Sequence, residues 1–137
     1  MASIGTPAFM SATLDLIPAG TRLTHDGESA PFDITASATR TFLCKMEITA
    51  QIEQESIEIS VWGSADGASW GKTPSLIMPQ RFYKGETSQI LDLSQRPEIR
   101  HIRARWKLVR WGRVTPHPMF ELSFTAAEIP AFAQQSA

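Results

Sequence analysis

Few side chains in this sequence have the types and spacing that catalysis or metal binding requires. The three histidines are far apart, and two of them stand beside turn or proline residues: His25, His101 and His117. This is not the ligand spacing of a metal site. The sequence contains no G-x-S-x-G nucleophile elbow, no H-E-x-x-H zinc motif and no glycine-rich phosphate loop. It therefore predicts a protein that is not an enzyme and needs neither a cofactor nor a metal.

The cysteine content narrows the chemistry further. Cys44 is the single cysteine, which excludes an intramolecular disulfide and a metal site with several cysteine ligands. It falls on the apolar side of an alternating stretch. We therefore expect a buried, inert thiol rather than a reactive one.

Charge is distributed unevenly between two segments. The segment 46–71 carries acidic residues and no base, whereas 96–113 carries Glu98 as its single acid among many bases. The basic residues taken as candidate contacts are Arg100, Arg103, Arg105, Lys107, Arg110 and Arg113. Three interpretations remain open: pairing of the two segments within the fold, pairing between subunits, or binding of an anionic ligand. A net charge of −1 makes nucleic acid an unfavoured partner.

Aromatic residues supply the rest of the candidate contact set. Trp106 lies on the apolar face of its predicted strand and is expected in the core. Trp62 alternates with Val61, and Trp111 precedes a Gly-Arg loop, so both are candidate exposed rings, and Tyr83 joins them. Exposed rings suit a subunit interface or stacking on a sugar. The alternative is that they cover the edge of a second sheet.

Alternation of apolar and polar residues predicts β-strands along most of the chain. The longest alternating stretches are 39–52, 99–111 and 120–126. We expect 39–52 to pair with its neighbour in sequence, 57–61, through a short connection.

Proline residues set the expected ends of two other elements. A strand over 13–17 is expected to stop at Pro18. The segment 71–85 contains Pro74 and Pro79, and prolines are confined to edge strands and bulges. We therefore expect an edge strand or a loop there.

These patterns together predict an all-β protein with a single domain. The expected fold is an antiparallel β-sandwich of about eight strands, jelly-roll or immunoglobulin-like, with extended terminal arms. The sandwich is expected over 12–127, with an N-terminal arm at 1–11 and a C-terminal tail at 128–137.

The stretch Ile57 to Trp70 predicts a strand, a tight turn and a returning chain. Asp66 is suited to bond the backbone ahead of it, Gly67 tolerates a positive φ, and Trp70 is placed to fold back over the hairpin. Ser64 to Trp70 resembles the S-x-D-G-x-x-W hairpin of small β-sandwich proteins of phage genomes, which are head-decoration, fibre or tail-associated virion proteins. The resemblance covers the central part of the chain. It implies a structural virion role and no catalytic residues.

The expected function is therefore assembly rather than catalysis. We expect a structural subunit that forms a homo-oligomer or decorates a larger particle, such as a virion. The alternative is a carbohydrate- or ligand-binding β-sandwich module, with a glycan as its partner.

The N-terminal stretch and the hydropathy of the chain predict where the protein is made. The first residues lack a basic region followed by a continuous apolar segment, so we expect synthesis in the cytoplasm without a signal peptide. A virion protein would then leave the cell within a released particle. No apolar run is long enough for a transmembrane helix, so no membrane partner is expected.

Overall fold

A computed structural model of the chain describes residues 13–112 and 117–130 and shows an all-β domain. The strands are β1 (Thr13–Leu23), β2 (Gly27–Glu28), β3 (Phe32–Asp33), β4 (Thr41–Gln51), β5 (Glu55–Ser64), β6 (Leu76–Ile77), β7 (Gly85–Asp92), β8 (His101–Arg110) and β9 (Phe120–Glu128). They form two antiparallel sheets that pack face to face, which confirms the predicted single-domain β-sandwich. The predicted arm over 1–11 lies outside the described residues, as does the predicted tail apart from 128–130.

The order of the strands identifies the sandwich as a jelly roll. One sheet has the order β1-β9-β4-β7 and the other β2-β8-β5-β6, with β3 also paired to β8. Strands β2 and β3 thus act as one interrupted strand. The first strand then pairs with the last, the second with the one before it, and so on inward, which is the nested pairing of a jelly roll. The immunoglobulin-like alternative is excluded, because its sheets have a different strand order.

The core lies between the two sheets and is supplied by one face of each strand. In β4, every second side chain is buried: Phe42, Cys44, Met46 and Ile48. The facing sheet contributes buried side chains from β5 and β8: Ile57, Ile59, Val61, Ile102, Ala104 and Leu108. This is the two-residue period that the sequence shows, since successive side chains of a strand point to opposite faces.

Trp106 is the exception within the inward face of β8. It is partly buried and packs against the core from the rim rather than lying inside it. Gly27 is its cross-strand partner, and a Cβ at that glycine would lie 3.0 Å from the indole ring. The indole nitrogen donates a hydrogen bond to the carbonyl of His25 at 3.1 Å. Because the residue paired with Trp106 on the neighbouring strand is a glycine, there is room for the indole ring beside it.

The expected pairing of β4 with β5 is wrong. Strand β4 lies between β9 and β7, whereas β5 lies between β8 and β6 in the other sheet. The short connection between them crosses from one sheet to the other, with Gln54 at a φ of +64°. Glu55 stabilises this crossing, because its buried carboxylate accepts a hydrogen bond from the amide of Ile52 at 2.9 Å. The connection is therefore an arch and not a hairpin turn.

The expected end of the first strand at Pro18 is also wrong. Strand β1 continues to Leu23, and its register against β9 shifts between Ile17 and Thr21. Gly20 has a φ of +84°, and the hydroxyl of Thr21 donates to the carbonyl of Pro18 at 2.6 Å. The strand therefore continues past Pro18 through a bulge. Because β1 is an edge strand, the amide hydrogen that proline lacks is not needed for pairing with β9.

The segment 71–85 is irregular and contains the two-residue strand β6, which pairs with the edge of β5.

In the described part of the chain, no helix has the length and apolar character needed to cross a membrane.

Candidate functional site

The outer face of the sheet formed by β2, β3, β8, β5 and β6 holds four of the predicted contact residues: Arg103, Arg105, Lys107 and Trp62. Strand β8 carries the bases and pairs along its whole length with the acidic strand β5. Glu58 lies directly opposite Lys107, and Trp62 lies directly opposite Arg103. The two segments of opposite charge are therefore neighbours within one sheet.

Two of the bases share a single carboxylate that the predicted contact set does not contain. Glu28, on β2, accepts hydrogen bonds from Arg103 at 2.9 Å and from Arg105 at 3.1 Å. Opposite charges on neighbouring strands attract across the exposed face. These two arginines are therefore paired within the fold, but with an acid of β2 and not with the acidic segment 46–71.

The same two arginines also cover two of the tryptophans. The guanidinium carbon of Arg105 lies 4.3 Å from the ring centroid of Trp62, and that of Arg103 lies 4.6 Å from the ring centroid of Trp70. Both distances are within the range of cation–π attraction. Trp62, predicted as an exposed ring, is half-buried and donates its indole hydrogen to the hydroxyl of Ser60 at 2.9 Å. One of its faces is occupied by the guanidinium and does not meet solvent.

The other predicted basic contacts have different surroundings. Arg100 and Lys107 are exposed. Arg110 is largely buried, donates to the carbonyl of Glu53 at 2.6 Å and lies 3.9 Å from the carboxylate of Glu55. Arg113 lies outside the described residues. The six bases therefore do not form one continuous exposed ridge.

The turn after β5 is built around the carboxylate of Asp66. The amides of Ala68 and Ser69 and the hydroxyl of Ser64 all donate to one carboxylate oxygen, at 2.8, 2.8 and 3.0 Å. These hydrogen bonds, that of Ser69 first, lower the pKa of Asp66 to about 2. Gly67 has a φ of +80°, a conformation that side chains with a Cβ rarely adopt.

The lowered pKa of Asp66 gives a testable dependence of stability on pH. The carboxylate stabilises the folded state at pH values above its unfolded pKa near 3.8, and this contribution is lost as the pH falls through about 2. We expect Asp66→Asn to lower the melting temperature at pH 6 and to have much less effect at pH 2. Thermal unfolding of both proteins across this range, followed by circular dichroism, measures the difference. An equal loss at both pH values would contradict it.

A second cluster on this side of the sandwich consists of exposed aromatic rings. Tyr83 is 60% and Trp111 is 53% exposed, and Phe82 lies between them with ring centroids 6.4 and 6.2 Å away. Trp62 does not join this cluster: it pairs with Arg103, about 25 Å along β8 from Trp111. The structure thus brings together two of the three predicted aromatic contacts.

Phe82 and Glu28 are the contacts that the sequence did not predict. One local feature of the sequence could have indicated that Phe82 is an exposed ring: it stands next to Tyr83 in a segment without alternation. Glu28 had none, because Arg103, which it binds, lies 75 residues further along the chain.

The remaining reactive side chains in the described part of the chain include a pair of surface histidines and one buried cysteine. The rings of His25 and His117 lie 5.4 Å apart at a shallow surface hollow beside Leu108 and Pro118. Cys44 is fully buried, which raises the pKa of its thiol to about 12. Among residues 13–112 and 117–130, no three histidine, cysteine or acidic side chains are placed to hold a metal ion.

Comparison with known proteins adds no relative. No protein-family model matches this chain, and no curated protein is significantly similar to it.

Proposed function

We propose that this protein is a non-catalytic jelly-roll subunit that works by associating with copies of itself or with a larger particle. A virion decoration or fibre protein is the most concrete form of the proposal. The jelly roll is a fold that viral capsid domains share with lectins, so the fold agrees with this function without establishing it. The support must come from the surface.

The observation that carries the proposal is the position of the exposed apolar side chains. The large apolar side chains left exposed among the described residues are Leu43, Ile77, Phe82, Tyr83, Ile90, Val109 and Trp111. Most of them belong to the segment 77–90 or contact it: Leu43 pairs with Ile90, and the ring of Trp111 contacts Phe82. The rings of Phe82, Tyr83 and Trp111 form one exposed apolar patch, and aromatic residues dominate the energetics of interfaces.

This surface shifts the expected contacts away from the basic strand. Arg103 and Arg105 already bind Glu28 within the subunit, so a partner would have to compete with that carboxylate. In the segment 77–90, by contrast, the side chains of Ile77, Tyr83 and Ile90 are more than half exposed. Apolar contacts rather than ion pairs are therefore proposed to supply the association.

The test is the native mass of the purified protein by light scattering over a range of concentrations at low and high salt. We expect a mass above that of one chain that does not fall in 1 M salt, since charges are screened beyond about 3 Å there but apolar contacts are not weakened. Dissociation at high salt would favour ionic contacts of the basic strand instead. A single chain at every concentration would contradict self-association.

A glycan-binding module is the second candidate, and the aromatic cluster favours it. Tyr83, Phe82 and Trp111 form an exposed patch of rings of the kind that stacks on sugars. A monomer whose tryptophan fluorescence is quenched by members of a glycan panel would support this candidate over assembly. Unchanged fluorescence across the panel would count against it.

A further inference from the structure

Among residues 13–112 and 117–130, the two sheets have four lateral edges, and three of them are protected against pairing with another chain. Strand β1 is bulged around Pro18. On the other sheet, β6 has two residues and lies between Pro74 and Pro79, while β2 and β3 have two residues each and are separated by a segment containing Pro31. Bulges, prolines and very short strands are the devices by which natural proteins block their sheet edges.

Strand β7 is the edge without these devices. Its eight residues, GETSQILD, contain no proline, and they pair with β4 without a register shift from Gly85 to Asp92. An edge strand of this length and regularity presents a row of unpaired amide and carbonyl groups to any strand that approaches it.

The hydrogen bonding at the end of β7 shows which backbone groups face outward. The amide of Leu93 donates to the carbonyl of Arg40 at 2.8 Å, so it points toward the β4 side. In an antiparallel strand the amide and carbonyl of one residue point to the same side, and successive residues alternate. The outward-pointing groups of β7 therefore belong to Glu86, Ser88, Ile90 and Asp92.

The exposed face of the same sheet carries an apolar row that ends at this edge. Ile90 is 57% exposed and pairs with Leu43, which is 40% exposed and pairs in turn with Ala127. The row thus crosses β9, β4 and β7 and stops where the sheet stops. A second copy of the same row, added across the edge, would continue it without interruption.

We propose that two copies of this protein pair through β7, antiparallel and around a twofold axis that passes between their Ile90 residues. Ile90 then exchanges two backbone hydrogen bonds with the partner's Ile90, and Ser88 pairs with the partner's Asp92. The two four-stranded sheets become one continuous sheet of about eight strands, a common solution for sheet edges. This inference rests on the proposed function, since it assigns the surface through which the subunit self-associates.

The side chains of β7 select this register over its neighbours. A register centred on Gln89 pairs every outward group but places Glu86 opposite the partner's Asp92 twice, and like charges directly opposite each other are destabilising. A register centred on Ser88 places Glu86 opposite the partner's Ile90. The register centred on Ile90 instead joins the two apolar rows and places Glu86 opposite the partner's Ser94, so that no like charges of β7 lie opposite each other.

The test compares two single-cysteine substitutions on β7, Ile90→Cys and Ser88→Cys, under mild oxidation. Paired residues that exchange hydrogen bonds have Cα atoms about 5.5 Å apart, within reach of a disulfide, whereas the Cα atoms of the two Ser88 residues would be about 14 Å apart. Both positions are exposed on the outer face, so neither change disturbs the core. The native Cys44 is buried, and the amount of disulfide-linked dimer that the wild-type protein forms measures any contribution from it.

We expect Ile90→Cys to give about tenfold more disulfide-linked dimer than Ser88→Cys, because only the first pair meets the distance limit of a disulfide. More dimer from Ser88→Cys would overturn the proposed register. If the wild-type protein associates but neither variant cross-links, the β7 surface is wrong while the proposed function stands. A wild-type protein that remains a single chain at all concentrations contradicts both.

Discussion

Replacing Glu55 by alanine is expected to lower the free energy of unfolding by about 3–5 kcal/mol. This is the largest loss that we expect from replacing any acidic residue in the described part of the chain. The two oxygens of this buried carboxylate accept hydrogen bonds from the amides of Ile52 and Met119, both at 2.9 Å. Arg110 lies 3.9 Å away. Glu55 therefore connects the arch after β4, the start of β5, the end of β8 and the residue that precedes β9.

The loss arises because this one buried carboxylate accepts both amides and lies beside a buried guanidinium. Alanine leaves two part-buried amides without their acceptor and withdraws the negative charge beside Arg110. Urea unfolding of Glu55→Ala and of wild type, followed by circular dichroism, measures the difference in the free energy of unfolding. The matched control is Glu58→Ala on the exposed face of the same strand, for which we expect a change within about 0.5 kcal/mol. Equal effects of the two substitutions would show that the arch does not depend on Glu55.

Replacing Trp70 by alanine is expected to cost about 3–5 kcal/mol as well, but for a different reason. The ring is 8% exposed, and the guanidinium of Arg103 lies over its face. Alanine removes a large buried side chain and also the ring that attracts this guanidinium, whose side chain is only 15% exposed. The turn after β5 would lose the contact that holds it against β8.

The matched control for Trp70 is Trp111→Ala. Trp111 is 53% exposed and touches Phe82 at the surface, so its loss should change the free energy of unfolding by less than about 1 kcal/mol. Denaturant unfolding of both variants separates a tryptophan that stabilises the fold from one that is available to a partner. A loss at Trp111 as large as that at Trp70 would contradict this division.

The sequence by itself determined the class of the fold and the composition of the core. In β4 and β8 the two-residue period of apolar side chains correctly indicated strands, and in β4 it also indicated which face is buried, including Cys44. This was possible because the direction of a side chain in a strand depends only on its position along that strand. The turn chemistry of Asp66 and Gly67 was equally local, since the hydrogen bonds that form it span two or three residues.

Only the tertiary structure decided which strands are neighbours. Strands β4 and β5 are adjacent in sequence and lie in different sheets, because Glu55 and Gln54 shape their connection into an arch. Alternation in a strand reports that one face is buried but does not report which strand lies beside it. The choice between a jelly roll and an immunoglobulin-like sandwich was therefore beyond the pattern.

The same limit applies to the candidate site. The charge pattern left open whether the basic and acidic segments pair with each other, and Glu28, which binds Arg103 and Arg105, comes from a two-residue strand with no periodic signal of its own. The position of β7 at the end of its sheet, among the described strands, was also hidden, because the sequence of a strand does not report which strands pair with it. Side-chain burial within a strand is a local property of the sequence, whereas pairing partners, ion-pair partners and free edges are set by contacts between residues far apart in the chain.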